Sequence, residues 1–153
     1  MNAVDIRQTR DTHDRDWLCL RQEFIPELGP QGQHDFLQAL ADDSVAFCAF
    51  VAVDEQGRPA GFAEVSVRTD YVNGCHHRPA LYLEGIFVRP ESRGRGIARA
   101  LCAAAEQWGR EHDCCEFASD VYIDDSDSLA AHAALGFEET ERVVYFRKPL
   151  FPD

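Results

Sequence analysis

Positive charge is scarce in this chain of 153 residues: 15 lysines and arginines face 27 aspartates and glutamates, a formal net charge of −12. So acidic a surface repels phosphate backbones and anionic bilayers. It argues against nucleic-acid and membrane binding and favours cationic small molecules or basic protein segments. No apolar run approaches the length of a membrane span. The opening Met-Asn-Ala-Val-Asp-Ile-Arg lacks the apolar stretch of a secretion signal, so a soluble, cytoplasmic protein is expected. Six cysteines are present, yet no Cys-x-x-Cys pair occurs, which removes zinc-finger and thioredoxin chemistry. Cys19, Cys48, Cys75 and Cys102 stand alone, and a disulfide between the neighbours Cys114 and Cys115 would be badly strained. Cys75-His76-His77 has no second ligand group at a metal-binding spacing. Reduced, mostly buried thiols and no metal are the expectation.

Neither an internal repeat nor a low-complexity linker breaks the chain, and its length fits one domain over residues 1–153. Apolar residues at 45% and charged residues at 27% suit a globular core and exclude disorder. Val4 to Arg7 reads as a short strand, with Asp11 or Thr12 able to cap a helix carrying Trp17, Leu18, Leu20, Phe24 and Ile25 up to Pro26. A second helical piece, Gln33 to Ala41, puts Phe36, Leu37 and Leu40 on one face. Val45 to Val53 and Ala60 to Arg68 form a hairpin about Asp54-Glu55-Gln56-Gly57, and a loop runs from Tyr71 to Pro79. Leu81 to Val88 is a strand ended at Pro90, followed by a helix striped by Ile97, Leu101, Ala104 or Ala105, and Trp108. Cys115 to Asp120 reads as a buried strand, Ser128 to Leu135 as a short helix, and Val143 to Phe146 as a closing strand. Early hairpins and a late strand-helix-strand predict an α/β domain whose mixed sheet holds a parallel pair.

The strongest chemical signal is Arg93-Gly94-Arg95-Gly96-Ile97-Ala98, set between a strand and a helix. Glycines there permit a tight turn and close approach of a ligand. The helix N-terminus that follows suits a phosphate or pyrophosphate, although a plain tight turn reads the same way. No Lys-Ser/Thr pair follows, so it is not a P-loop, and the G-x-G-x-x-G pattern is incomplete.

Arg-x-x-Gly-x-Ala after a strand, with Gly136-Phe137 further on, resembles the GNAT-type N-acetyltransferases. Four segments narrow the likeness: Asp70-Tyr71-Val72-Asn73-Gly74, Leu83-Glu84-Gly85-Ile86-Phe87-Val88, Phe117-Ala118-Ser119-Asp120, and Gly136-Phe137 through Glu141 to Tyr145. Together they resemble the chromosomal, dimeric aminoglycoside 6′-N-acetyltransferases. The first 45 residues match only in outline, at Asp16-Trp17-Leu18 and Leu20-Arg21. The resemblance implies a GNAT-like domain, acetyl-coenzyme A as co-substrate without metal, an aminoglycoside acceptor, a homodimer and direct attack in a ternary complex. Within it Ile86, Phe87 and Val88 line the cofactor arm, and a backbone N–H, that of Val88, donates to the acetyl oxygen. The turn of Arg93, Gly94, Arg95, Gly96, Ile97 and Ala98 holds the pyrophosphate.

Further roles follow from the same resemblance. Asp120 would hold the substrate ammonium and accept its proton, where a bland reading is a cap for the next loop. Glu84, in an apolar strand, needs a substrate ammonium or an internal arginine as partner. Tyr71 and Glu141 would also touch the sugar. Asp125 stands where the family often carries an asparagine on the cofactor arm; it can accept but not donate. His132 replaces a tyrosine that protonates the departing thiolate in many relatives, with Tyr145 as a second candidate. Ile25 takes the place of a tryptophan that can stack on the aminoglycoside ring, unless Phe24 fills that role. Other cationic acceptors (a polyamine, a small amine, a protein N-terminus) and a non-catalytic acyl-coenzyme A module share the glycine turn.

Overall fold

Strand alternation, helix stripes and turn residues assemble, in a computed structural model describing residues 4–151, into two units: residues up to Asp120, and Val121 onward. Residues 1–3, part of the N-terminal reading above, lie outside the description.

The first unit is a five-stranded sheet in sequence order. Strands β1 (Asp5–Thr9), β2 (Ala46–Val53), β3 (Pro59–Arg68) and β4 (Ala80–Val88) pair antiparallel, and β5 (Phe117–Ala118) lies parallel to β4. Central β2 and β3 are buried along nearly their whole length, because helices cover both faces. On one face α1 (Arg15–Phe24) and α2 (Gly29–Asp43) join Trp17, Leu20, Leu37 and Leu40 to Phe47, Ala49, Val51 and Phe62. The helix α3 (Ile97–Glu111) buries Ile97, Leu101, Ala105 and Trp108, which settles the stripe on Ala105. It approaches the sheet so closely at Gly109 that a Cβ there would lie 2.7 Å from the Leu81 side chain.

Helix α1 is capped by Asp14 and not by Asp11 or Thr12. The Asp14 carboxylate accepts the Trp17 N–H at 3.1 Å and is gripped by Arg7 of β1 at 2.6 and 2.8 Å. The bonded Arg7 guanidinium holds this carboxyl below its usual value of 3.8. Asp14→Ala is expected to cost about 1–2 kcal/mol, a fall of roughly 2–8 °C in Tm. Because the folded-state pKa is depressed, the contribution is complete above the ordinary value and disappears as pH falls through the folded one. Melting curves of both proteins should therefore converge in acid.

Three further expectations need correction. The strand expected over Cys115 to Asp120 shrinks to two half-buried residues. Cys48, Cys102 and Cys114 are buried, but Cys19 and Cys115 are exposed and Cys75 is intermediate, so the thiols are not mostly buried; all six are free.

The second unit contains α4 (Ser126–Ala134), capped by Asp125, whose Oδ1 accepts the Ser128 N–H at 3.0 Å. The third correction lies here: Val143 to Phe146 is not a strand. Its residues are exposed together with Leu150 and Phe151, and the apolar run has no ladder to join.

Candidate active site

The glycine turn takes the shape its composition demands. Gly94 and Gly96 have φ of +78° and +79°, conformations that β-carbon-bearing residues resist. A Cβ at either would meet nothing within 4 Å, so open space lies over the turn. Gly96 is the N-cap of α3 and supplies no side chain, which leaves the helix's positive end to an anion. Arg93 ties the turn to β4 by donating from Nε to the Val88 carbonyl at 2.9 Å. Arg93, Arg95 and Gly94 are exposed, whereas Ile97 anchors the helix in the core.

Strand β4 supplies the other element. Its parallel ladder to β5 covers only Leu81 and Tyr82, so Ile86, Phe87 and Val88 lie beyond the reach of β5. The Arg89 N–H bonds the Ala60 carbonyl beside β3. Alternation along the strand then turns the Val88 N–H to the opposite edge, where the ladder to β5 has already ended. Phe87 packs its ring against Phe24 and Phe62, at 5.6 and 6.4 Å.

The register of β4 slips by one residue at its centre: Glu64 faces Gly85, Val65 faces Leu83, and Glu84 is left as the extra residue. Beneath Gly85 lies Glu64, fully buried, so near that a Cβ on the glycine would come within 2.8 Å of its Oε1. Burial pushes the Glu64 carboxyl above the usual carboxylate range, while Arg21 and Trp17 pull the other way. Trp17 Nε1 donates to it at 2.9 Å, and Arg21 donates from its guanidinium to the other oxygen. Arg21 Nε also donates to Gln33 Oε1 at 3.0 Å, and Gln33 in turn donates to the Ile25 carbonyl at 2.6 Å.

Around Glu84 opens a cleft of about 540 Å³, lined among others by Phe36, Asp43, Arg68, Asp70 and Tyr71. Glu84 is paired with Arg68, an exposed arginine of the same chain, at 3.0 and 3.3 Å from its two oxygens, and the Ser66 hydroxyl donates at 2.6 Å. Arg68 lies 3.4 Å over the Tyr82 ring. Asp120 stands near enough to the Tyr82 hydroxyl that its carboxylate, together with burial, raises the phenol's pKa well above the norm. Asp120 itself is exposed. One chain of contacts thus runs from the cleft at Glu84 through Arg68 and Tyr82 to Asp120.

Of the acceptor residues expected from sequence, the first unit brings Tyr71 and Glu84 to one cleft and links Asp120 to it. Ile25 ends α1, half-buried, and does not line this cleft; Phe24 is turned to Phe62 and Phe87. Asp43 was not singled out from sequence, and neither Phe36 nor Asp70 was given a role at the site. Phe36 shares the apolar stripe of α2, and only its 37% exposure separates it from a core residue. In the second unit, the Asp125 carboxylate is engaged as a helix cap, and His132 Nδ1 lies 2.8 Å from the Ser128 carbonyl with its ring 5.1 Å from Phe137. Glu141 and Tyr145 are exposed in a segment without regular structure.

A splayed strand beside an open glycine turn at a helix start defines an acyl-coenzyme A-dependent transferase, and the chain belongs to the GNAT acetyltransferase family, whose model matches residues 10–137. Within it, the chain is 45% identical over 147 residues to the aminoglycoside N(6′)-acetyltransferase type 1 of Salmonella enteritidis, covering 95% of this chain and 99% of that one. It is 44% identical to the protein of the same name from Stenotrophomonas maltophilia, over 99% and 97% of the two chains. Among solved structures, AAC(6′)-Iy in complex with the bisubstrate analogue CoA-S-monomethyl-acetylneamine superposes with a TM-score of 0.86 at 41% identity, covering 96% of this chain and 99% of that one.

Proposed function

We propose that the protein transfers the acetyl group of acetyl-coenzyme A to the 6′-amino group of aminoglycosides by direct attack in a ternary complex. The observation that carries this reading is the acidic cleft at Glu84 linked through Tyr82 to Asp120, on a GNAT scaffold whose relatives bear that activity. Carboxylates of Asp43, Asp70 and Glu84 suit a substrate with several ammonium groups, each able to pair with a different acid. Asp120 takes the proton of the attacking amine. The Val88 N–H donates to the thioester oxygen as charge develops there, an effect worth about 3 kcal/mol. Arg93 to Ala98 bind the pyrophosphate. In the second unit Asp125 accepts from the cofactor arm, Glu141 contacts the sugar, and His132 or Tyr145 returns a proton to the thiolate. The chain works as one domain across the boundary at residue 120, which the family match spans.

We further propose a cytoplasmic homodimer. Six unpaired cysteines accord with a reducing compartment. Val144, Tyr145, Phe146, Leu150 and Phe151 are 74–92% exposed, an apolar run that a second copy would cover.

Thiol release from acetyl-coenzyme A with kanamycin, tobramycin, spermidine or a basic peptide tests the reading. Turnover with the aminoglycosides is expected; turnover with spermidine or the peptide alone would reassign the acceptor, and none at all would leave a binding module. Gly96→Val is expected to weaken acetyl-coenzyme A binding at least tenfold by calorimetry, because φ of +79° strains valine and its methyls enter the anion's approach. Unchanged affinity in a folded variant would remove the turn from the cofactor site.

A further inference from the structure

One aromatic side chain of the acceptor cleft is held with unusual firmness. Phe36 lines the cleft from α2, followed along the same helical stripe by Leu40 and Asp43. Behind it lies Arg21, 1% exposed, with its guanidinium carbon 4.2 Å from the Phe36 ring centroid. Two of the guanidinium nitrogens are committed to Gln33 and Glu64, and the third has no oxygen partner. The ring face therefore completes the arginine's surroundings as a cation–π partner. Gln33, one turn before Phe36, is fixed to the Ile25 carbonyl, so the helix carrying the ring is tied to the end of α1.

We propose that Phe36, backed by Arg21, is the aromatic wall against which the acceptor's sugar ring stacks, and so a determinant of acceptor affinity; this rests on the acetyltransferase reading above. A cation on one face draws electron density from the ring and weakens its attraction for a second cation on the other. The exposed face is thus suited to the C–H face of a sugar, while ammonium groups go to Asp43, Asp70 and Glu84. Ile25, half-buried at the end of α1, leaves this role to the next helix. Such a wall favours cyclic amino sugars over flexible linear amines, which have no face to stack.

The test measures kanamycin KM, kcat and acetyl-coenzyme A KM for Phe36→Leu and Phe36→Trp, with calorimetric binding of kanamycin and spermidine in the presence of coenzyme A. Phe36→Leu is expected to raise kanamycin KM and Kd about three- to tenfold. Its kcat, its acetyl-coenzyme A KM and its spermidine affinity should stay within twofold. Phe36→Trp, with a larger face, should keep or lower KM, and it serves the test even if the leucine variant does not fold. Unchanged kanamycin affinity in folded Phe36→Leu, equal weakening toward spermidine, or a several-fold KM rise in Phe36→Trp would overturn the wall. If the unsubstituted protein neither binds nor acetylates kanamycin, the acceptor assignment falls first and takes the wall with it.

Discussion

Asp120→Asn is expected to lower kcat for aminoglycoside acetylation by about a hundredfold or more, the scale of a lost general base. Asparagine has the same shape and sets an amide oxygen beside the Tyr82 hydroxyl, so the local packing just beyond β5 is kept. What disappears is the ability to take the proton of the attacking amine, which remains an unreactive ammonium. Acceptor KM should move little, since Glu84, Asp43 and Asp70 stay in place. Steady-state kinetics with tobramycin at saturating acetyl-coenzyme A give the answer, and Tyr82→Phe is the companion. The phenylalanine variant removes only the hydroxyl beside Asp120, so its kcat loss should be about three- to tenfold, well short of the asparagine variant. Near-normal kcat in Asp120→Asn would show that the proton leaves by another route.

The parts of the molecule legible in sequence are those where one local pattern suffices. The unbroken apolar run of β2 and the Asp54 to Gly57 turn predicted a hairpin, and the stripe of Ile97, Leu101 and Trp108 predicted α3. Arg93 to Ala98 announced its positive-φ glycines because few other residues make that turn. Glu84 announced a partner because an unpaired carboxylate in a buried strand is costly, and Arg68 supplies it. The misses share another character. Asp11, Thr12 and Asp14 are all competent caps, and the choice is made by Arg7 on a strand that sequence reasoning had not placed opposite. Val143 to Phe146 has the β-branched and aromatic composition of a strand, but a strand exists only where another backbone accepts its ladder, which composition does not disclose. Phe36 was read only as one member of a helix stripe, and a stripe cannot show which of its members overhangs a cleft. Glu64 was passed over as one residue of an apolar strand, although its charge in such a place carried the same warning as Glu84.

That overlooked carboxylate should produce the largest stability effect in the chain. Arg21→Met is expected to destabilise the fold by about 3–5 kcal/mol, because it strips a fully buried Glu64 of its counter-charge. Trp17 Nε1 alone then faces the carboxylate, which must either stay charged without compensation or take up a proton. Glu64→Gln made alone is expected to be harmful as well, since the Arg21 charge stays buried with only Gln33 and the Phe36 ring around it. Combining the two should cost clearly less than the sum of the single changes. Neither partner then carries an uncompensated charge, methionine fills much of the arginine's volume, and the glutamine oxygen still accepts from Trp17. Urea denaturation of the four proteins reads this coupling, and simple additivity would show that the pair is not a unit. The double variant also separates stability from function. Expected to fold, it lacks the cation behind Phe36 and the Arg21 bond to Gln33, so acceptor KM should be raised while acetyl-coenzyme A KM keeps the value of the unsubstituted protein. An unchanged acceptor KM would mean that the buried pair serves the core alone.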